Sequence, residues 1–297
     1  MVYTLTLNPA LDYVMQVKSL GFGEINRAEE TELRCGGKGI NVSAVLNELG
    51  VDNTALGFAA GFTGSELLRL LSESGIKNDF IFTENGATRI NVKIRTGQEL
   101  DINAGGFSPD EGNMKTLFEK LDSLIKNGDW LVLSGSLPKG VSASAYADIM
   151  KMLSDRDAKI AVDTEGDALL EALEYSPFVI KPNHIELGEL FGKTVDGDVI
   201  PYANELRSRG AKNVLVSMAE RGAVLVDEND RTYKSENAEG ELVNSVGCGD
   251  SMLAGFIAGY IKTGDYENAL RLATACGNAT AYSETLATKD EIEKYYK

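Results

Sequence analysis

The residues best suited to chemistry in this chain of 297 are Gly247, Gly249 and Asp250, which stand directly before an apolar run at 252–261. Two glycines before an apolar segment of helical length predict a tight turn that leads into a helix. The first N–H groups of a helix have no intrahelical acceptor and lie at the positive end of its dipole, so they bind anions. A carboxylate in that first turn could take a proton from a hydroxyl group that attacks phosphorus. An aspartate at a helix start is also a common cap, so the motif alone leaves both interpretations open.

A second glycine-rich loop has the sequence GGKGIN at 36–41 and opens a helical pattern that runs to Leu49. Its backbone could bind another anion, and Lys38 adds a fixed positive charge. The alternative is an ordinary glycine turn with a solvated lysine. The formal net charge of −16 disfavours nucleic acid and anionic membranes as partners. A phosphate ligand would therefore need positive charge gathered locally, which favours a binding role for Lys38.

The rest of the composition narrows the class of protein. The hydrophobic fraction of 43% and the charged fraction of 25% are ordinary for a globular enzyme. His184 is the only histidine, which excludes histidine-dependent triads and multi-histidine metal sites. Three widely spaced cysteines, without a Cys-x-x-Cys pair, fit a reducing cytosol. No signal peptide is apparent, and no apolar run approaches the ~20 residues of a membrane span, so we expect a cytoplasmic protein.

Strand and helix patterns alternate along most of the chain. Strands are predicted at 2–7, 52–61, 129–134, 158–163, 178–181 and 213–217, followed by a hairpin at 221–233. This alternation predicts an α/β fold with a mostly parallel, doubly wound sheet whose ligands bind at the carboxyl ends of the strands. The sequence TGSE at 63–66 predicts a capping box at a helix start.

Four short extended segments interrupt this alternation of strands and helices, at 11–17, 31–34, 88–95 and 98–104. The last two are separated by a turn and predict a β-hairpin. Together the four predict a small separate sheet, on which Arg89, Asn91 and Asn103 could face inward.

With GGKGIN near its start and GCGD near its end, the chain resembles the ribokinase-like (pfkB) sugar kinases over essentially its whole length. The segments TLNPALD at 6–12 and TRINVK at 88–93 narrow the resemblance to the phosphosugar branch. The resemblance implies a single ribokinase-like domain over 1–297, with the small sheet as a lid. In this family the lid often also pairs two subunits, so a homodimer through the lid sheet is expected.

The activity implied by the resemblance is transfer of the γ-phosphoryl group of ATP to a ketohexose phosphate, with Mg²⁺. Fructose 1-phosphate is the expected acceptor and fructose 1,6-bisphosphate the product, with tagatose 6-phosphate and fructose 6-phosphate as alternative acceptors. A phosphosugar-binding regulator without catalysis is an alternative of another class. A Rossmann dehydrogenase is disfavoured because no Gly-x-Gly-x-x-Gly follows the first strand.

The resemblance also implies roles for individual residues. Asp250 would be the catalytic base, and the backbone of Gly247, Cys248 and Gly249 would form an anion hole for the γ-phosphoryl group. The residues implied to bind the sugar phosphate are Asp12, Gly37, Lys38, Asn41, Arg89 and Asn103, with Arg27 as a further candidate. The residues implied to contact ATP are Lys181, Ser217, Glu220, Gly222, Gly249 and Asn278. The residues implied to organise Mg²⁺ are Asn183 and Glu186, a sparse pair that suits an ion that keeps several waters.

Three positions depart from the family pattern. Ala219 stands where the family usually has glycine, and Glu165 stands where a small residue is usual. Both departures concern the local geometry of the ATP site. Cys248 replaces the commoner alanine, and its thiol could have a lowered pKa at a helix start or be a small packed side chain.

Overall fold

The structure is a computed structural model that describes residues 1–97 and 99–296. Gln98, at which one predicted segment of the small sheet begins, and Lys297 lie outside the described residues. The elements follow one another along the chain as β1 (Val2–Thr6), β2 (Ala10–Gln16), β3 (Glu30–Gly36), α1 (Lys38–Glu48), β4 (Asn53–Ala60), α2 (Gly61–Glu73), β5 (Ile81–Thr83), β6 (Arg89–Arg95), β7 (Glu99–Ile102), α3 (Glu111–Leu124), β8 (Trp130–Ser134), α4 (Ala145–Met152), β9 (Lys159–Asp163), α5 (Gly166–Leu173), β10 (Val179–Ile180), α6 (His184–Phe191), α7 (Ile200–Ser208), β11 (Asn213–Ser217), β12 (Ala223–Val226), β13 (Thr232–Ser235), α8 (Cys248–Thr263), α9 (Tyr266–Ala281) and α10 (Lys289–Tyr295).

Nine strands form the large sheet, in the order β13-β12-β11-β10-β9-β8-β1-β4-β5. The pairs from β11 through β5 are parallel, and β12 and β13 are antiparallel additions at one edge. The predicted α/β fold with a mostly parallel sheet is confirmed, and so is the hairpin that β12 and β13 form. Strand β1 is interior, with Leu5 opposite Leu56 of β4 and Leu133 of β8.

Helices cover both faces of this sheet because side chains alternate along each strand. On β8, Leu133 belongs to one buried cluster together with Tyr146 of α4. Its neighbour Val132 belongs to a second cluster, which contains Val45 of α1 and Phe256 of α8. Helices α1 and α8 therefore pack on the same face of the sheet.

Four strands form the small sheet, in the order β3-β2-β6-β7. The inner strands β2 and β6 run parallel, and the edge strands β3 and β7 are antiparallel to them. Asp12 on β2 lies opposite Arg34 on β3 and Asn91 on β6, so these three polar residues share one face. The other face is apolar and partly exposed. Its exposed members are Tyr13, Ile90, Leu100 and Ile102.

The capping box predicted at 63–66 is wrong. Helix α2 begins at Gly61 with Ala60 as its N-cap, three residues before the predicted N-cap, so Thr63 lies inside the first turn. The Thr63 hydroxyl donates to the Ala60 carbonyl at 3.3 Å. Gly61 has a φ of +58°, and a Cβ there would lie 2.4 Å from the Gly86 carbonyl oxygen. A close approach by a distant segment, which local sequence does not encode, sets this helix start.

Helices α5 and α10 were not predicted from the sequence. Among the described residues, no helix is long and apolar enough to cross a membrane.

Candidate active site

The N-terminus of α8 carries the GCGD motif in the geometry that the glycines predict. Gly247 is the N-cap and has a φ of +81°, the left-handed region that favours glycine. A Cβ at this position would lie 2.5 Å from Cδ2 of Leu286. The first intrahelical bond runs from the Ser251 N–H to the Gly247 carbonyl, at 2.8 Å. The three preceding N–H groups, from Cys248 to Asp250, therefore have no acceptor within the helix and can bind an anion.

Asp250 lies next to these donors and is only 6% exposed. Nδ2 of Asn41, in the first turn of α1, donates to Oδ2 of Asp250 at 2.7 Å. Burial raises the pKa of Asp250 to about 6, and the negative charge of Asp163 acts in the same direction. The Asn41 hydrogen bond, Lys38 and Lys181 oppose that rise. A carboxylate with this pKa is ionised at neutral pH and is well matched to accepting a proton there.

Two lysines converge on the buried carboxylate of Asp163, at the end of β9. Nζ of Lys38 lies 3.2 Å from Oδ1, and Nζ of Lys181 lies 3.5 Å from Oδ2. Burial alone would raise the pKa of Asp163, but the charges of Lys181 and Lys38 outweigh it, so the pKa lies below its ordinary value. Asp163 also raises the pKa of Lys38, which keeps that lysine charged.

The same lysines bring positive charge to the α8 N-terminus. A Cβ built on Gly249 would lie 2.9 Å from Nζ of Lys181, so a larger residue at 249 would push this ammonium group away from the helix start. Asp163 is the last residue of the strand predicted at 158–163, and no partner was predicted for it. The sequence feature that could have indicated a role for Asp163 is its position at the end of an apolar strand, at the carboxyl edge of the sheet.

A cavity of about 230 Å³ opens between the large sheet and the small one. Four residues predicted to bind a sugar phosphate line it, namely Gly37, Lys38, Arg89 and Asn103. Six further residues were not assigned to it, namely Thr6, Asn8, Gly135, Ser136, Thr164 and Glu165. Asp12 and Asn41 are outside this lining. Glu165 places a carboxylate at a cavity that also holds two cationic side chains.

Arg89 reaches this cavity from the first residue of β6. Its Nη2 donates to the Asn8 carbonyl at 2.9 Å and its Nη1 to the Ala104 carbonyl at 3.4 Å, while its buried Nε has no hydrogen-bond partner. Burial lowers the pKa of Arg89, and the Asp12 charge opposes this. Oδ1 of Asp12 accepts from Nδ2 of Asn91 at 2.8 Å. Arg89 is thus held in place and retains an unused donor.

A larger cavity, of about 570 Å³, lies beside α9 and the loop after β13. Asn278 lines it, and so does Thr274, whose buried hydroxyl has no hydrogen-bond partner. A Cβ on Gly277 would lie 3.6 Å from the Cys248 carbonyl oxygen, so this stretch of α9 also contacts the α8 N-terminus. The stretch of α9 that lines the larger cavity therefore also packs beside the predicted anion hole.

Ser217, Glu220 and Gly222, predicted to contact ATP, lie in and around the turn between β11 and β12, outside the larger cavity. The Met218 N–H donates to the Gly222 carbonyl at 2.9 Å. Ala219, where the family usually has glycine, has a φ of +49°. The left-handed conformation that glycine favours is therefore present in this turn with an alanine in it. Nδ2 of Asn237, which lines the larger cavity, donates to the Ala219 carbonyl at 2.6 Å. This hydrogen bond links the turn between β11 and β12 to the larger cavity.

Asn183 and Glu186 form a capping box at the start of α6. Oδ1 of Asn183 accepts from the Ile185 and Glu186 N–H groups, both at 2.8 Å, and Oε2 of Glu186 accepts from the Asn183 N–H at 2.8 Å. The Glu186 charge also raises the pKa of Lys38, after the larger effect of Asp163. Over the described chain, no group of three or more His, Cys, Asp or Glu side chains could hold a metal ion. The residues present fit a magnesium ion that takes most of its oxygen ligands from phosphates and water.

The thiol of Cys248 is packed. Its Sγ donates to the Asn244 carbonyl at 3.3 Å, and burial, with a contribution from the Asp250 charge, raises its pKa to about 11. The alternative of a lowered thiol pKa is therefore wrong.

The doubly wound sheet, the small sheet and the two glycine-rich helix starts together define a class of nucleotide-dependent sugar kinases. Residues 4–292 match the family described as pfkB family carbohydrate kinase, and the chain belongs to that family. It is a carbohydrate kinase with the ribokinase-like fold.

Individual relatives agree with this family assignment. The chain is 42% identical to the 1-phosphofructokinase of Bacillus subtilis, over 99% of this chain and 97% of that protein. It is 35% identical to the D-tagatose-1-phosphate kinase of Bacillus licheniformis, with 99% and 97% covered. The tetrameric inhibited form of phosphofructokinase-2 from Escherichia coli superimposes with a TM-score of 0.92 at 29% identity, with 99% and 97% covered.

Proposed function

We propose that this protein transfers the γ-phosphoryl group of ATP to fructose 1-phosphate and produces fructose 1,6-bisphosphate. The observation that carries the proposal is the buried carboxylate of Asp250 beside three N–H groups of a helix start that have no acceptor within the helix, next to a cavity with two cationic side chains. The similarity to the 1-phosphofructokinase of Bacillus subtilis supports the choice of sugar phosphate.

In this proposal Asp250 accepts the proton of the sugar hydroxyl group as that oxygen attacks the γ-phosphorus. Asn41 holds the carboxylate in one orientation through its 2.7 Å hydrogen bond. The N–H groups of Cys248, Gly249 and Asp250 donate to the oxygens of the transferring group, where negative charge is spread in the transition state. Lys181 supplies positive charge next to Gly249.

The sugar phosphate would occupy the smaller cavity. Lys38 and Arg89 are its cationic lining residues, so they would bind the phosphate that the substrate already carries. Asn103 would donate to the sugar from the small sheet, and Asp12 and Gly37 would bind sugar hydroxyl groups.

The nucleotide would extend from the α8 N-terminus towards the larger cavity, where Asn278 lies. Its other proposed contacts are Lys181, Ser217, Glu220, Gly222 and Gly249. Asn183 and Glu186 would hold Mg²⁺ partly through water, and the ion would neutralise charge on the nucleotide phosphates.

The chain would form one domain over 1–297, with the small sheet as its lid. Two copies would pair through the apolar face of this sheet, because Tyr13, Ile90, Leu100 and Ile102 are each more than a third exposed on one side of it. The protein would be located in the cytoplasm, where ATP is available as its phosphoryl donor.

A second candidate acceptor is D-tagatose 1-phosphate, favoured by the relative from Bacillus licheniformis. The test is a coupled assay of ADP formation with ATP and Mg²⁺ across fructose 1-phosphate, D-tagatose 1-phosphate, tagatose 6-phosphate and fructose 6-phosphate. We expect the highest kcat/KM with fructose 1-phosphate and a loss of turnover in Asp250→Asn. A higher kcat/KM for another acceptor would transfer the proposal to that sugar. Binding of sugar phosphates without turnover would favour the non-catalytic regulator instead.

A further inference from the structure

The two edge strands of the small sheet each make one polar contact with the loops that flank the α8 N-terminus. On β7, Oε2 of Glu99 accepts from the Ser245 hydroxyl at 3.1 Å. On β3, Nη1 of Arg34 donates to the Glu284 carbonyl at 3.3 Å. The inner strands β2 and β6 carry Asp12 and Arg89 instead.

Ser245 and Glu284 belong to one structural unit. The N–H groups of Val243 and Asn244 donate to the Ala281 carbonyl at 2.8 and 3.1 Å, which joins the loop before α8 to the end of α9. Leu286, two residues beyond Glu284, packs against Gly247. Both edge contacts therefore reach the segment that holds the N-cap of α8.

Ion pairs within the small sheet support the Glu99 side chain. Arg95 lies 3.5 Å from Glu99 and 3.2 Å from Asp101, and Lys93 lies 2.8 Å from Asp101. Lys93 is only 7% exposed, so this row of charges is partly withdrawn from solvent. Glu99 is thus fixed to its sheet on one side and hydrogen-bonded to the Ser245 loop on the other.

We propose that Glu99 and Arg34 are positioning residues that fasten the small sheet to the loops holding Gly247, and so fix the sugar site relative to the anion hole. This inference rests on the proposed kinase activity. Without the two contacts the small sheet is freer to move away, which loosens the sugar and admits water to the γ-phosphoryl group. Water then competes with the sugar, and the products of that side reaction are ADP and inorganic phosphate.

The decisive variant is Glu99→Ala, compared with Glu99→Gln. Glutamine retains an oxygen that can accept from Ser245, whereas alanine does not. We expect Glu99→Ala to raise KM for fructose 1-phosphate about two- to fivefold, because a partly exposed hydrogen bond is lost, with KM for ATP unchanged. The ratio of inorganic phosphate to phosphorylated sugar should rise in the alanine variant and stay near the wild-type value in the glutamine variant.

Arg34→Met tests the second edge and should raise the same ratio, and the double variant should raise it further. Glu29→Ala is the matched control, because its ion pair with Lys18 at 3.0 Å lies on the small-sheet side of the protein and does not cross to the α8 loops. We expect wild-type values for this control in every measurement.

An unchanged product ratio in both Glu99→Ala and Arg34→Met would overturn the inference. Equal effects of Glu99→Ala and Glu99→Gln would also overturn it, because they would mean that the negative charge of Glu99, paired with Arg95, carries the effect and its hydrogen bond to Ser245 does not. Amide hydrogen exchange tests the fastening without catalysis, and we expect faster exchange in β7 and in residues 243–247 of Glu99→Ala only. If the wild type phosphorylates no sugar phosphate, but exchange in these segments is still faster in Glu99→Ala than in the wild type, the proposed function is refuted and the fastening remains in place.

Discussion

Nδ2 of Asn41 donates a 2.7 Å hydrogen bond to Oδ2 of Asp250, across a sequence separation of 209 residues. This bond joins the first turns of α1 and α8, the two helices that begin with glycine-rich motifs. It gives the buried Asp250 carboxylate one fixed orientation and leaves the other carboxylate oxygen to accept a proton, the role proposed for this residue.

Asp250→Asn should lower kcat by about 10²–10⁴, because the amide cannot accept the proton of the sugar hydroxyl. Asparagine still accepts from Asn41, so the local geometry is retained. Steady-state kinetics would give kcat, and calorimetry with ATP would give nucleotide affinity, which should change little. A variant with near-normal kcat would remove Asp250 from the mechanism.

The same substitution should stabilise the protein at neutral pH. The pKa of Asp250 is raised to about 6 from an unfolded value near 4, so between these pH values the folded state holds a proton that the unfolded state has released. The contribution of Asp250 to the free energy of unfolding therefore falls as pH rises through this window. Asp250→Asn should raise that free energy by about 1–3 kcal/mol at pH 7.5, and the gain should shrink towards zero near pH 4.

Urea unfolding at the two pH values measures this effect. Asp155→Asn, at a side chain 81% exposed, is the matched control and should show no such pH-dependent gain. Equal stability of Asp250→Asn and wild type at pH 7.5 would mean that burying the ionised Asp250 carboxylate does not lower the free energy of unfolding.

Arg89→Ala should raise KM for fructose 1-phosphate by roughly ten- to a hundredfold, the effect of losing a charge-assisted hydrogen bond of about 1.5–3 kcal/mol. Arg89→Lys should also impair binding, because lysine cannot reproduce the fork that holds the Asn8 and Ala104 carbonyls. KM for ATP should change far less in both variants. Arg69→Lys, in a surface ion pair of α2, is the control. A rise in KM for ATP alone would assign Arg89 to the nucleotide.

Glu186→Gln should raise the Mg²⁺ concentration for half-maximal rate by about tenfold, because a charged oxygen near the ion is lost. Glutamine can still accept the Asn183 N–H, so the capping box and the helix stability should persist. Glu189→Gln on the same helix is the control. Identical Mg²⁺ titrations for wild type and Glu186→Gln would exclude Glu186 from the metal site.

Ala219→Gly should raise the free energy of unfolding by about 0.5–1 kcal/mol, since a φ of +49° is strained for alanine and not for glycine. Ala28→Gly, at an exposed position without a positive φ, should be neutral or slightly destabilising. Thermal unfolding of the two variants gives the comparison. A loss of stability in Ala219→Gly would mean that the turn is not strained.

The features predicted from sequence were those with local causes. The glycines of the two loops allow the turns that precede α1 and α8, and the apolar runs after them specify the helices. The alternation of strands and helices was sufficient to predict a parallel sheet, because parallel strands must be joined by crossover connections, which are usually helices.

The features missed depend on contacts between distant segments. The ion pairs of Asp163 join β9 to α1 and to the residue after β10, and no local pattern encodes such a meeting. The start of α2 is set by the approach of Gly86 to Gly61 and not by the residues at 63–66. The site residues could therefore be predicted only one by one. Which of them contact each other became known only from the fold.

Strands β8 to β13 occupy the large sheet in the order in which the ribosome makes them, each beside its predecessor, and β8 joins directly to the first strand of the chain. A nascent chain can therefore extend the sheet outward from β1 one strand at a time, without inserting a late strand between two early ones. The carboxylate that pairs with Asn41 is synthesised only after this sheet is complete. A nascent chain that has formed the whole large sheet would thus still lack Asp250, so the phosphoryl transfer proposed for this carboxylate could begin only after α8 is made.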